Sequence, residues 1–198
     1  FCTVPFEENL TPSVAEIVQL QNGEIWLVAT GRGLFKVDRE NNKVVALGEI
    51  NKRCGTQSIN HIYEDRFNRI WISTDRQGLV CLDASGRKKA VYKTPDLPGN
   101  LAGIVLEDKE GALFVTVAGT VLMFDEVSST FIPFRVKDRQ GIDIREMTLT
   151  KDGVIYLGTY GKGVYSINKE KRLLTPVENI HTPFLNMNTA KVVAITED

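Results

Sequence analysis

Histidine and cysteine, the residues from which metal and catalytic sites are most often built, are scarce in this sequence. The 198 residues include two histidines and three cysteines, and no pair of cysteines has the CxxC spacing of a structural zinc site. His61 and His181 lie far apart in the chain, well outside metal-ligand spacing. We therefore expect no catalytic residue, no metal site and no cofactor in this chain.

A charge excess and a long apolar run are also lacking. Lysine and arginine number 24 against 25 aspartates and glutamates, so nothing in the net charge of −1 indicates nucleic acid as a partner. The uncharged stretch from Ala112 to Phe124 is interrupted by Gly119 and Thr120, and it is shorter than the roughly 18 apolar residues that span a bilayer. Because the chain begins at Phe1 rather than Met, we expect a piece of a longer protein, and the missing targeting segment says nothing about compartment.

Sustained 3.6-residue periodicity with capping signals is absent as well, so helix should be nearly absent. What the sequence contains instead is an internal repeat. Trp26, Trp71, Phe114 and Tyr156 are spaced 45, 43 and 42 residues apart. Each of these aromatic residues follows a turn and begins an apolar run, which is followed by a glycine-containing turn and a second apolar run.

One repeat is interpreted as four strands, A to D, separated by turns. In the first repeat they cover about Val14–Leu20, Glu24–Ala29, Leu34–Val37 and Lys43–Leu47. The apolar runs do not alternate cleanly, so both faces of each sheet require burial, which radial stacking of blades provides. The sequence therefore predicts an all-β fold, a β-propeller fragment of four four-stranded antiparallel blades with partial blades at both ends. A parallel β-helix is the structural rival.

The repeat predicts a single partial propeller domain over residues 1–198. The repeats cover about residues 11–55, 56–98, 99–141 and 142–186. Residues 1–10 resemble the outer strand of a preceding blade, and residues 187–198 resemble the first strand of a following one. We expect an arc cut from a larger ring, whose unpaired edges favour self-association, for example as a homodimer.

The second repeat contains four short motifs in a fixed order, Ile62-Tyr63-Glu64-Asp65, Arg69-Ile70-Trp71-Ile72-Ser73-Thr74, Gly78-Leu79 and Leu82-Asp83. This series resembles the two-component regulator propeller repeat, and the other repeats follow it in register over essentially the whole chain. Asn68 stands where that pattern has a turn glycine, and Phe114 and Tyr156 replace its tryptophan. These departures weaken single copies but not the period.

The resemblance implies a sensor rather than an enzyme. Propellers of this family form the periplasmic region of hybrid two-component histidine kinases, anchored in the inner membrane, and commonly sense oligosaccharides. The expected partners are a small-molecule or oligosaccharide ligand and the remaining blades and signalling domains of the parent chain. Two alternatives stay open: a streptogramin-lyase-like propeller enzyme, which a histidine cluster on the loops would favour, and a protein–protein scaffold, which a broad apolar patch would favour.

Candidate ligand contacts are placed on the loops, because function usually lies there and the B–C turns and D–A loops of a propeller share one face. Aromatic and guanidinium groups suit a polyhydroxylated ligand through stacking and bidentate hydrogen bonds. We therefore predict ligand contacts from Arg32, Arg76, Tyr160, Lys162 and His181.

Other polar residues are given structural roles. His61 lies in strand A at a position that the other repeats fill variably, so we expect packing or channel lining rather than catalysis. The pairs Glu64-Asp65 and Glu107-Asp108 recur where strand A meets the A–B turn. We therefore expect these aspartates to cap turns rather than to form a hydrolytic carboxylate pair.

Overall fold

The computed structural model describes residues 4–7, 11–137, 141–177, 191–192 and 195. Two compact units divide the chain, Phe1–Val105 and Leu106–Asp198. The described residues form four sheets and one short helix, and each sheet follows one of the predicted repeats. The fold is that of consecutive β-propeller blades, as the repeat predicts, and we number them blades 1 to 4.

The strands occur in the order A to D within every blade. Blade 1 contains β1 (Val14–Gln19), β2 (Ile25–Ala29), β3 (Gly33–Asp38) and β4 (Lys43–Ala46). Blade 2 contains β5 (Ile59–Glu64), β6 (Ile70–Thr74), β7 (Leu79–Leu82) and β8 (Lys88–Tyr92). Blade 3 contains β9 (Ala102–Glu107), β10 (Leu113–Val117), β11 (Thr120–Asp125) and β12 (Thr130–Pro133). Blade 4 contains β14 (Ile144–Leu149), β15 (Ile155–Thr159), β16 (Val164–Asn168) and β17 (Leu173–Pro176).

Blade 4 departs from the prediction because it has a fifth strand. Strand β13 (Arg135–Val136) runs parallel to the outer strand β17, with Val136 opposite Leu174. The same pairing begins in blade 1, where Phe6 forms a parallel bridge with Val44 of β4. The register of the repeat places Val44 and Leu174 at equivalent positions. In both blades the chain that precedes the first strand covers the outer edge, which sequence periodicity did not reveal.

Blades 1 and 2 share an apolar core, which is the reason that both faces of the sheets are apolar. Trp26 and Leu34 of blade 1 and Ile62, Ile72 and Val80 of blade 2 belong to one buried cluster. Each of these five side chains is at most 3% exposed. Burial of apolar surface on this scale stabilises by about 1.5–3 kcal/mol per large side chain, so face-to-face stacking is the main force that holds the two blades together.

The inner strand of blade 1 has an open apolar side. Ile17 is 65% exposed, whereas Ile62 at the same position of blade 2 is 1% exposed. Val105 and Met147, the equivalents in blades 3 and 4, are also buried. The described residues therefore leave uncovered on blade 1 the face that is buried in the other blades. Self-association through such open surfaces stays a prediction.

The helix α1 (Gly48–Cys54) lies in the loop between blades 1 and 2, a segment without sustained helical periodicity. Gly55 ends it in the left-handed conformation, at φ 70°. Asn51 explains its placement: the side chain accepts from the Leu34 amide at 2.8 Å and donates to the Leu34 carbonyl at 3.0 Å. Within the described part of the chain no helix is long and apolar enough to cross a membrane.

Candidate functional site

The A–B turns at one end of the blades are built on one backbone pattern. The amides of Gly23, Asn68, Gly111 and Gly153 each donate to the carbonyl at the end of strand A, at 2.8–3.1 Å. Three of these residues are glycines with φ from 85° to 92°, and Asn68 takes the same left-handed conformation at φ 57°. Asparagine replaces glycine here because its side chain tolerates this region better than most.

Asp65 caps the A–B turn of blade 2, as predicted. Its Oδ1 accepts from the amides of Phe67 and Arg69, both at 2.9 Å. Its Oδ2 accepts from Arg69 Nε at 2.5 Å and from Trp71 Nε1 at 2.7 Å. The carboxylate is fully buried and has four donors, so it fastens the turn to the aromatic anchor of the next strand. Its role is structural, and nothing in this geometry prepares it for hydrolysis.

Asp108 caps the corresponding turn of blade 3. Its Oδ1 accepts from the amides of Glu110 and Ala112, at 3.0 and 2.9 Å. Lys169 replaces the arginine as the cation and lies 2.5 Å from Oδ2. Burial raises the pKa of this carboxyl group, but the hydrogen bonds from Lys169 and the two amides outweigh burial, so the pKa lies below its usual value. The pKa of Lys169 lies above its usual value, because hydrogen bonds to Asp108 and Glu110 outweigh its desolvation.

His61 is held between the inner strands on either side of it. Its Nδ1 lies 2.8 Å from Oε1 of Glu16, and its Nε2 lies 3.1 Å from the carbonyl oxygen of Val105. The other oxygen of Glu16 accepts from the amide of Ile62 at 3.0 Å. Both ring nitrogens are occupied in joining β5 to β1 and β9, which supports the packing role expected for this histidine.

The opposite end of the blades also has a repeated backbone plan. After strand B, the amides of Thr30, Asp75 and Tyr160 donate to carbonyls that precede strand A, at 2.8–3.1 Å. Near the same end, strand A has an extra residue, a β-bulge, in blades 1, 2 and 4. Bulges re-aim side chains and are common beside functional sites. The residue after strand B and the bulge residue of strand A therefore decide which side chains each blade presents at this end.

Blade 4 fills both positions with large side chains. The bulge residue is Arg145, where blades 1 and 2 have Ala15 and Asn60. Tyr160 stands where blade 1 has Thr30 and blade 2 has Asp75. Because threonine and alanine satisfy the same backbone geometry, the fold does not require an aromatic or a guanidinium group here.

Tyr160 is the centre of a cationic cluster, which we define as Asp143, Arg145, Tyr160 and Lys191. The tyrosine is 48% exposed. The Arg145 guanidinium lies 5.5 Å from the ring centroid and is paired with Asp143 at 2.6 Å. The Lys191 ammonium lies 4.3 Å from the centroid and donates to the phenolic oxygen at 2.6 Å. Lys162 donates to the carbonyl of Gly141 at 2.8 Å.

The predicted contact residues are thus only partly brought together. Tyr160 belongs to the cationic cluster, and Lys162 follows it two residues later in the same B–C turn. Arg32 lies elsewhere, at a shallow cavity of about 590 Å³ beside α1 that Asn51 and Gln57 also line. Arg76 is exposed in the B–C turn of blade 2, and His181 lies outside the described residues. Ligand binding by these five residues stays a prediction.

Sequence reasoning missed Arg145 and Lys191, the two cations beside Tyr160. A signal for Arg145 was present, because aligning the repeats puts it opposite Ala15 and Asn60. Lys191 had no such signal, since its place depends on the antiparallel bridge between Lys191 and Tyr160. In the described residues no group of three histidine, cysteine, aspartate or glutamate side chains is arranged to hold a metal ion.

Comparison with known proteins supports the resemblance noted in the second repeat. No curated protein matches the chain significantly. Residues 55–76 match the model of the family described as two component regulator propeller. This match confirms the family resemblance of the repeat around Trp71.

Solved structures share the fold at low sequence identity. The extracellular domain of a candidate hybrid two component system from B. thetaiotaomicron aligns with a TM-score of 0.66 at 18% identity, over 86% of this chain and 25% of that one. A second extracellular domain from the same organism, of a candidate one component system, gives 0.67 at 18% identity, over 84% and 24%. Virginiamycin B lyase from Staphylococcus aureus gives 0.65 at 12% identity, over 88% and 59%. This chain therefore spans about a quarter of the two extracellular domains, and these likenesses show the propeller fold alone.

Proposed function

The chain carries a two component regulator propeller repeat in a β-propeller fold, and from this we propose that it is an extracytoplasmic ligand-sensing module. The parent protein would be a hybrid two-component sensor histidine kinase, with the propeller in the periplasm and the kinase beyond this chain. Support comes from the extracellular domains of similar fold in B. thetaiotaomicron. The proposed ligand is an oligosaccharide, and the module itself would not be an enzyme.

The observation that carries this proposal is the cationic cluster of blade 4. Tyr160 and Arg145 occupy positions at which blade 1 has threonine and alanine. An exposed aromatic ring beside cations and a hydroxyl group is a surface that can recognise a polar ligand. Because the repeated backbone does not need these side chains, binding is the better explanation for their presence.

Signalling would follow from differential binding. A ligand shifts the equilibrium between two arrangements of a receptor only as far as its affinities for the two differ. A site near the end of a blade, on a turn and a bulge, lies where small backbone shifts change the contacts of neighbouring segments. We propose that occupancy of this site biases the arrangement of the parent receptor toward its signalling state.

Isothermal titration calorimetry on the complete extracytoplasmic region tests the proposal. The titrants are oligosaccharides derived from plant, host and fungal polysaccharides. We expect saturable binding to one glycan class, weakened by Tyr160→Thr, which installs the residue that blade 1 has at this position. Arg76→Ala removes the predicted contact in the B–C turn of blade 2 and tests whether the site lies there instead.

The other outcomes discriminate between the alternatives. Binding that is weakened by Arg76→Ala and not by Tyr160→Thr would support the sensor function but would place the ligand site on blade 2. No binding across the panel would withdraw the glycan ligand and favour a protein scaffold. Turnover of a titrant would favour a propeller enzyme, the possibility suggested by the shared fold of virginiamycin B lyase.

A further inference from the structure

The ring of Tyr160 is not available as a bare stacking platform. Lys191 places its ammonium 4.3 Å from the ring centroid, and Arg145 places its guanidinium at 5.5 Å. A cation at this distance is attracted by the negative face of the ring. A neutral sugar that stacked on the ring would have to displace one of these cations, so stacking is an unfavourable way to use this site.

The polar groups of the cluster are mainly donors. The phenolic oxygen of Tyr160 accepts from Lys191 at 2.6 Å, and the hydroxyl group keeps one hydrogen that it can donate to a ligand. The Lys191 ammonium has three N–H groups, and within the described residues no carboxylate lies within ion-pair distance of it. The Asp143 carboxylate is engaged by Arg145, so Lys191 and the Tyr160 hydroxyl present donors that match a ligand with negative charge.

The charge of the cluster points in the same direction. Arg145 and Asp143 form a half-exposed pair at 2.6 Å and largely offset each other. Lys191 adds a positive charge, and no carboxylate among the described residues lies within ion-pair distance of it. The cluster therefore has an excess of positive charge, although the chain as a whole has a net charge of −1.

Blade 2 provides an internal contrast. At the position of Tyr160 it has Asp75, and at the bulge it has Asn60, whose side chain donates to the carbonyl of Ala102 at 2.9 Å. Blade 2 thus presents a carboxylate where blade 4 presents a phenol between two cations. An anion would be repelled at the first position and attracted at the second, although the backbone is the same.

We propose that the cationic cluster binds an anionic group, the carboxylate or sulfate of an acidic oligosaccharide. This inference rests on the proposed sensor function and narrows its ligand class. Lys191 and the Tyr160 hydroxyl donate to the anion. Arg145 holds the Tyr160 ring in place, and the ion pair with Asp143 orients the Arg145 guanidinium. Tyr160 acts as a rigid hydroxyl donor rather than as a stacking surface.

The test is a calorimetric titration of the complete extracytoplasmic region with three matched probes. Oligogalacturonates carry carboxylates, chondroitin sulfate oligosaccharides carry sulfates as well, and galacto-oligosaccharides are neutral. We expect one of the acidic series to bind and the neutral series not to bind, with affinity falling as salt is raised. Lys191→Gln should weaken binding about tenfold or more, since it removes a charge-assisted hydrogen bond.

Control variants separate local from general charge effects. Lys89→Gln removes an exposed lysine from β8 of blade 2 and should leave affinity unchanged. Tyr160→Phe keeps the ring and its cations but removes the hydroxyl, and should weaken binding by a smaller factor than Tyr160→Thr. Circular dichroism of each variant checks that the fold is retained.

The outcomes distinguish this inference from the proposed function. Binding of the neutral series alone would overturn the anionic ligand and leave the sensor intact. Binding of an acidic series that is unaffected by Lys191→Gln and Arg145→Gln would also overturn it, since the anion would then be bound elsewhere. Failure of every probe to bind would count against both proposals.

Discussion

Both ends of the blades repeat their backbone hydrogen bonds from blade to blade, but the two ends differ in the side chains that they carry. At the A–B end, all four blades repeat one turn bond, and two blades cap it with a buried aspartate that also contacts a cation. At the B–C end, the backbone bonds of blades 1, 2 and 4 are equally constant. The side chains there differ from blade to blade, and among the described residues only those of blade 4 place an aromatic ring between cations.

This contrast separates residues that the fold needs from residues that it tolerates. A side chain that recurs at one repeat position with the same hydrogen bonds is explained by stability. Tyr160 and Arg145 occupy positions where threonine and alanine maintain the same backbone. An internal repeat thus supplies its own controls, because each blade shows which residues the geometry accepts. The predictions below test this separation.

Loss of the buried cap in blade 2 should have the largest effect. Asp65→Ala leaves Arg69 and the Trp71 indole without their shared acceptor, and we expect a loss of about 3–5 kcal/mol in the free energy of unfolding. Urea denaturation followed by tryptophan fluorescence measures it. Asp125→Ala removes a half-buried C–D turn cap, whose Oδ2 accepts from Ser128 at 2.5 Å, and is the control. Equal losses for the two variants would contradict a special role for the A–B end.

The B–C end also has a structural residue, Gly78 in blade 2. It has φ 71°, and a Cβ atom would lie 2.0 Å from the carbonyl oxygen of Tyr92. Gly78→Ala should therefore cost about 2–4 kcal/mol from the left-handed backbone and the clash together. Gly31→Ala is the matched control, because it has φ 66° and nothing within 4 Å. It should cost only about 1 kcal/mol, and a similar loss in both variants would show that the clash is relieved.

Lowering the pH should destabilise the folded protein, because protonation of Asp108 weakens its contacts at the A–B end of blade 3. Its pKa in the folded protein lies below the ordinary value of 3.8, because Lys169 and two amides outweigh its burial. A depressed carboxyl pKa gives stability that is present above the unfolded value and is lost as the pH falls through the folded value. Urea midpoints between about pH 6 and pH 2.5 should fall less steeply in Asp108→Asn than in the wild type. Parallel curves would contradict this contribution.

The smallest effect on stability is expected at the cationic cluster. Tyr160→Thr and Arg145→Ala install the residues of blade 1, so each should change the free energy of unfolding by less than about 1 kcal/mol. Both variants should nevertheless reduce ligand affinity in the calorimetric titrations. A large loss of stability in either would assign these side chains to the fold and remove the basis for treating blade 4 as the site.

Much of the fold was predictable because it depends on local chemistry and periodicity. The strands expected in the first repeat differ from β1 to β4 by one residue at most at either end. The capping roles of Asp65 and Asp108 were predictable too, since a side-chain oxygen at the start of a turn bonds to nearby amides. The helix α1 was not, because its seven residues are positioned by the distant contact between Asn51 and Leu34.

The candidate site was predictable only in part, for the same physical reason. Tyr160 and Lys162 were recognisable as turn residues, but their neighbours depend on how separate segments meet. Arg145 reaches Tyr160 because a bulge shifts the register of β14 against β15. Lys191 reaches it through a bridge across 31 residues of sequence. Local periodicity in the sequence predicts neither of these two contacts.

The sequence by itself determined the repeat, the order of strands within a blade and the turn residues that need positive φ, because these depend on interactions between residues close together in the chain. The tertiary structure alone decided that Phe6 and β13 cover outer strands in parallel, and that two cations lie against Tyr160. Contacts between distant segments follow from packing and register, and one extra residue in a strand is enough to change which side chains meet.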